Sequence, residues 1–185
     1  MNIRIMGISL AALSLFVAGC ASYNWTSDVP EELRTVAVPV FENRTMGAEL
    51  GPIVTQYVLR EFQREGTFKI RRTGDSSIEV QGTLVDESYG ALSYDRTYDN
   101  RGSECRYRVV AEVSIVNKDT GKVLQDNRRY VAETTFLAVG GDVLTGRRNA
   151  APRIAADLAR QIVDDVTSWP YKKSAGTGRV EGVQK

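Results

Sequence analysis

The chain has 185 residues, with 24 Lys and Arg against 23 Asp and Glu, and no histidine. A net charge of +1 gives no global field to hold nucleic acid or an anionic surface, so any polyanion contact must be local. The lack of histidine removes the commonest general base and the commonest zinc ligand.

The chain opens on one positive charge, Arg4, followed by an uncharged stretch from Ile5 to Val17 and then Val17-Ala18-Gly19-Cys20. A charged start, a short apolar run and small residues before a cut make a secretory signal over residues 1–19. The run is shorter than the roughly 20 residues that a spanning helix needs. With Cys20 after the cut, the segment resembles a bacterial lipobox, with Val17 where leucine is more usual. That resemblance implies a diacylglyceryl group on the Cys20 sulfur and an acylated (palmitate-type) new N-terminus. The alternative is an ordinary signal peptide followed by a chance cysteine. Two or three acyl chains anchor a protein stably where one would not. Ala21, rather than Asp, implies delivery to the outer membrane, with the domain on its periplasmic face. Arg4 is the only charge removed with the leader, so the mature chain is neutral. With Cys20 lipidated, the fold cannot rest on an intramolecular disulfide.

Residues 20–33 are polar and suit a lipidated tether. The domain proper is expected over 34–170. It starts with a buried strand from Arg34 to Phe41, in which Val36, Val38 and Val40 recur at period two; Pro39 cannot donate to a ladder and marks an edge or bulge. A turn from Glu42 to Gly47 leads to a helix over about Ala48–Glu65, where Leu50, Val54, Val58 and Phe62 fall at i+4 steps and Gly66 supplies the stop. Phe68–Arg71 reads as a short strand and Gly74–Ser77 as a turn. Ile78, Val80, Gly82 and Leu84 then alternate with polar neighbours. A second alternation, Cys105, Tyr107, Val109, Ala111, Val113 and Ile115, shares one face. Asn117–Gly121 is a hairpin loop, and the return strand runs from Lys122 to about Thr135. A glycine-bearing loop containing Arg147 and Arg148 precedes the last helix. That helix has Pro152 in its first turn and an i+4 stripe of Ile154, Leu158, Ile162 and Val166. Residues 171–185 read as a disordered tail.

The order β-α-β-β-β-β-α predicts an α+β fold: two amphipathic helices packed on one face of a four-stranded, or slightly larger, mixed sheet. The crossover from first strand through helix to a later strand predicts at least one parallel pair.

Catalytic chemistry is sparse. No second thiol stands ready for a metal site, no Gly-x-Ser-x-Gly elbow occurs, and Gly140-Gly141 is too short for a phosphate loop. Asp95 and Asp99 lie four apart, while the adjacent Asp164 and Asp165 point in different directions on a helix. Cys105 reads as a small apolar residue on a buried strand face. No enzyme, metal or cofactor is expected.

Several motifs fall into one frame. Phe41-Glu42-Asn43-Arg44-Thr45 follows the first strand and Gly82-x-Leu84 the helix. Then come Tyr94-Asp95, Asn100-Arg101-Gly102, Glu104 through Val109, and Asp119-x-Gly121-Lys122-Val123-Leu124. Together they resemble the LptE family of lipopolysaccharide-assembly lipoproteins over about Cys20 to Trp169. The Arg106-x-Arg108 pair and Cys105 depart from that pattern. The resemblance implies an outer-membrane lipoprotein that partners an LptD-like β-barrel as plug and assembly factor in lipopolysaccharide transport. Lipid A carries phosphates, which arginine binds in a bidentate way. Arg101, at a turn between strands, and Arg147 and Arg148, ahead of the last helix, are therefore the lipopolysaccharide-binding candidates; the alternative is that they are ordinary surface charges. The partners implied are the barrel, lipopolysaccharide and outer-membrane lipids, with no nucleic acid. Two other readings stay open: a scaffold lipoprotein of another envelope machine, curli-secretion-like or TolB-like, and an envelope hydrolase.

Overall fold

The computed structural model describes residues 29–93, 103–173 and 180–182. The first predicted strand is split by its proline. β1 (Thr35–Ala37) ends ahead of Pro39, which has no N–H to give a ladder, and the chain rejoins the sheet as β2 (Glu42–Asn43). Helix α1 (Leu50–Glu65) follows, then β3 (Lys69–Ile70) and three long strands: β4 (Ile78–Ser93), β5 (Ser103–Asn117) and β6 (Val123–Ala138). Helix α2 (Val143–Ser168) closes the domain.

The sheet has six strands, ordered β3-β1-β4-β5-β6, with β2 beside β4 farther along the same edge. β1 runs parallel to β3 and β4, and β2 parallel to β4. β4, β5 and β6 form an antiparallel meander. The expected α+β fold with a mixed sheet is therefore observed. Each long strand of 15 or 16 residues spans about 50 Å at roughly 3.3 Å per residue.

The predicted stripes make the core. Val54, Val58 and Phe62 of α1 and Ile154, Leu158, Ile162 and Val166 of α2 are buried, as are Tyr107, Val109, Ala111, Val113 and Ile115 of β5. Gly66 ends α1 at φ 84°, its N–H donating to the Phe62 carbonyl. The helices lie side by side and run the same way. Glu49 at the start of α1 is 3.6 Å from Arg148, and Arg64 near its end lies in the field of Asp164.

Three further boundaries differ from the sequence reading. α2 starts nine residues before Pro152, so Arg147 and Arg148 sit on the helix and not in a loop. Asp142 caps it by accepting from the Thr145 amide at 3.0 Å, and the bond that Pro152 cannot make is outweighed by burial of Ala150, Ala151 and Ile154. The meander strands also run on beyond Leu84 and Thr135. Finally, the tail is structured at its start: β7 (Tyr171–Lys173) pairs with β8 (Val180–Gly182), and the Tyr171 hydroxyl donates to the Val166 carbonyl at 2.9 Å.

β6 is an outer strand, and α2 reaches over its edge. Gln161 Nε2 donates to the Val131 carbonyl at 3.0 Å, and Arg153 Nη2 to the Thr135 carbonyl at 2.7 Å. Among the described residues no helix is long and apolar enough to cross a membrane.

Candidate functional site

One residue in β4 breaks the alternation of the sheet. Leu84 pairs with Ala111 and Asp86 with Val110, so Val85 has no opposite number. Such a bulge reverses the parity of the strand beyond it. Leu84 faces the helices before the bulge, and Glu87, opposite Val109, faces them after it.

Glu87 is thereby buried, its side chain only 2% exposed. Three donors from three parts of the fold meet its carboxylate. The Tyr107 hydroxyl from β5 lies 2.9 Å from Oε1, Arg147 Nη1 from α2 lies 2.8 Å from the same oxygen, and the Gly47 amide ahead of α1 lies 2.8 Å from Oε2. A buried carboxylate is tolerated when a cation and further hydrogen bonds satisfy it, as here. Gly47 lets the carboxylate come close: a Cβ there would fall 2.9 Å from Glu87 Oε2 and push it aside. The Arg147 guanidinium also lies over the Tyr89 ring, 5.9 Å from its centroid. Burial, reinforced by the bond to Glu87, pushes the Tyr107 hydroxyl well above the ordinary phenol range. It is a neutral donor at physiological pH, not a nucleophile or base.

This junction stands just below one end of the described fold, where the end of β4, the start of β5, the end of β6 and the start of α2 meet. Tyr89, Leu92, Leu137, Val139 and Leu144 are exposed there. Arg148, near the start of α2, has its side chain 72% exposed, with the Glu49 carboxylate at 3.6 Å. A groove of about 320 Å³ runs between β6 and α2, lined by Glu104, Thr135, Phe136, Leu137, Gly146, Asn149 and Arg153. On the opposite face of the sheet, Arg108 bridges Asp86 at 3.3 Å and Glu133 at 3.2 Å. With Arg106 it borders a second shallow groove over Ser88 and Gly90.

The predicted site residues separate accordingly. Arg147 is held inward by Glu87, and Arg148 points to solvent. Arg101 lies outside the described residues, as do Cys20 and the Asp95 and Asp99 pair. Asp165 is occupied structurally, accepting from the Tyr130 hydroxyl at 2.5 Å and pairing with Arg128 at 2.9 Å. Cys105 is buried on the helix-facing side of β5. Among the described residues no three His, Cys, Asp or Glu side chains gather as a metal site. Glu87 escaped the sequence reading. Its one trace there is the adjacent apolar pair Leu84-Val85, where strict alternation stops.

A family model described as LptE, lipopolysaccharide-assembly, matches residues 33–166. Among solved structures, the chain is similar to an inferred lipoprotein from Caulobacter crescentus CB15, at 16% identity and a TM-score of 0.49, with 79% of this chain and 95% of that one covered. The hypothetical protein CT253 from Chlamydia trachomatis also has a TM-score of 0.49, at 10% identity, with 72% and 95% covered. A PelC dodecamer from Paraburkholderia phytofirmans scores 0.45 at 14% identity, with 73% and 89% covered. At these scores none of the three bears on what this chain does. No curated protein matches.

Proposed function

The chain belongs to the LptE family of lipopolysaccharide-assembly proteins, and from that premise we propose that it is an outer-membrane lipoprotein that partners an LptD-like β-barrel as plug and assembly factor. In this reading it also binds lipopolysaccharide, at the end where β4, β5, β6 and α2 meet.

The observation that carries the ligand part is that exposed apolar side chains and an exposed guanidinium occur at the same end of the fold. Leu92, Leu137, Val139 and Leu144 are exposed at the end that also presents Arg148. An amphiphile with acyl chains and a phosphorylated head needs both kinds of surface, apolar area for the chains and a guanidinium for the phosphate. Exposed apolar groups clustered at one place mark an interaction surface, whereas scattered ones do not. Arg101, which lies between β4 and β5 in the sequence and outside the described residues, is proposed as a second cation of the site.

The position of the tether is compatible with this role. Val29 and β1 begin at the opposite end of β4, where Arg34 Nε donates to the Val29 carbonyl at 3.1 Å. The nine-residue span from Cys20 to Val29 reaches at most about 30 Å. A lipid on Cys20 would hold that end near the membrane and leave the apolar end about 50 Å away, free to enter a partner. The interior of an outer-membrane barrel is polar, and a plug with a charged sheet face and a neutral total charge suits it.

The test is extraction of the lipidated protein from membranes in mild detergent. The proposal expects a large β-barrel to co-purify in fixed ratio. A ring-shaped homo-oligomer without a barrel would favour the scaffold reading. For the ligand part, Arg101→Glu with Arg148→Glu should weaken lipopolysaccharide binding at physiological salt while barrel association persists. Unchanged affinity would remove these arginines from the site.

A further inference from the structure

The Glu87 junction ties together the segments that build the ligand end. Gly47 precedes α1, Arg147 lies in the second turn of α2, Tyr107 is in β5, and Glu87 itself is in β4 beyond the bulge. These four residues are far apart in sequence and share one carboxylate. Next to Arg147 in the chain, Arg148 carries the same charge with the opposite fate. Adjacent residues on a helix point about 100° apart, so with Arg147 turned to Glu87, Arg148 is turned outward.

We propose that Glu87 is a positioning residue: by gripping Arg147 and the Gly47 amide it sets the start of both helices on the sheet, so that Arg147 serves as a strut and Arg148 makes the ligand contact. The assignment of a ligand contact rests on the lipopolysaccharide reading above; the strut does not. A surface ion pair would contribute little to such a role. This pair is different because the carboxylate is 2% exposed and the guanidinium 17%, and loss of either partner leaves a charge buried without its counter-ion. The cation over Tyr89 adds a second hold on the same guanidinium.

The test uses the lipidated, detergent-extracted protein and two measurements. The first is amide hydrogen exchange in the segments 44–50 and 143–149. Glu87→Gln should speed exchange in both segments together, by about tenfold, the ratio that a loss of about 1.4 kcal/mol in local stability gives, while the middle of α2, 154–166, stays as in the wild type. The second is binding of lipopolysaccharide to the same detergent-solubilised protein at physiological salt, where the acyl chains sit in the protein's own micelle and bind no vesicle. Arg148→Glu should weaken binding at least fivefold with exchange unchanged. Arg147→Lys keeps a cation on Glu87 and should bind within twofold of wild type.

Unchanged exchange in Glu87→Gln would overturn the positioning role. An Arg147→Lys protein that loses as much affinity as Arg148→Glu, with normal exchange, would overturn the division of labour and put Arg147 on the ligand. Wild-type protein with no affinity for lipopolysaccharide would sink the lipopolysaccharide reading and the Arg148 contact with it, and the exchange data would still decide the strut.

Discussion

The ring of Phe41 lies against Gly82 with no room for a side chain between them: a Cβ on Gly82 would fall 2.1 Å from Cε1 of the ring. Phe41 follows the stretch that Pro39 removes from the sheet, so it must be held by other means. Its amide donates to the Thr55 hydroxyl at 2.9 Å, and that hydroxyl donates to the Gly51 carbonyl at 2.8 Å. The Gly82-x-Leu84 motif thus has a packing cause. Gly82→Ala should cost about 1–3 kcal/mol by overpacking, read as a lower urea midpoint at unchanged slope. A wild-type midpoint would mean that the ring can move aside without loss.

The two helices predict a steep response to truncation. Phe62 and Leu158 have no solvent exposure, and Phe62 packs edge-on against Phe68 at 5.6 Å between centroids. Replacing either with Ala should cost about 2–5 kcal/mol through the cavity left behind. Cys105→Ala removes less volume and should be clearly milder in the same denaturant melts.

The edge of β6 is guarded. Unpaired carbonyls on a long outer strand invite another strand to pair with them, and Gln161 and Arg153 occupy two of them from α2. Arg153→Ala with Gln161→Ala should turn a monodisperse preparation toward concentration-dependent dimers or larger species, measured by sedimentation velocity. Arg153→Lys, which keeps a donor, should restore the wild-type profile. A monodisperse double mutant would show the guards to be dispensable.

Alkali should destabilise the fold. Burial, the main cause in each case, raises the hydroxyl pKa of Tyr107, Tyr130 and Tyr171, with Glu87 and Asp165 adding to it. The native state then keeps protons that the unfolded chain releases above the ordinary phenol value near 10. Stability is full below pH 10 and falls as pH rises past it, by up to about 1.4 kcal/mol per pH unit for each tyrosine. Melts from pH 8 to 11.5 should show a shallower decline for Tyr107→Phe than for wild type, from a lower starting point. Parallel curves would exclude Tyr107 from the effect.

The anchor makes a separate prediction. Cys20→Ser should leave the signal uncut or release the domain into the periplasm, since the acyl chains are proposed as its hold on the membrane. A Cys20→Ser protein that still fractionates with outer membrane and carries lipid at a processed N-terminus would refute the lipobox.

Local repetition carried most of the fold in readable form. The i+4 stripe from Leu50 to Phe62 and the alternation from Cys105 to Ile115 each follow from residues a few places apart, and both are buried on the expected sides. Gly121, expected to take a left-handed turn, has φ 68°. What stayed hidden depends on partners distant in the chain. Pro152 by itself looks like a helix start, and only Asp142 capping Thr145 and the packing of Ala150 and Ala151 carry α2 back to Val143. The direction of Glu87 is set by a bulge whose position follows from the β5 register, and its charge is tolerated because Arg147, 60 residues on, arrives beside it. The sequence alone lists Arg147 and Arg148 as equivalent neighbours. The tertiary structure makes one a buried counter-ion and the other a solvent-facing cation, because a helix can turn only one of two adjacent side chains toward a carboxylate fixed in the sheet.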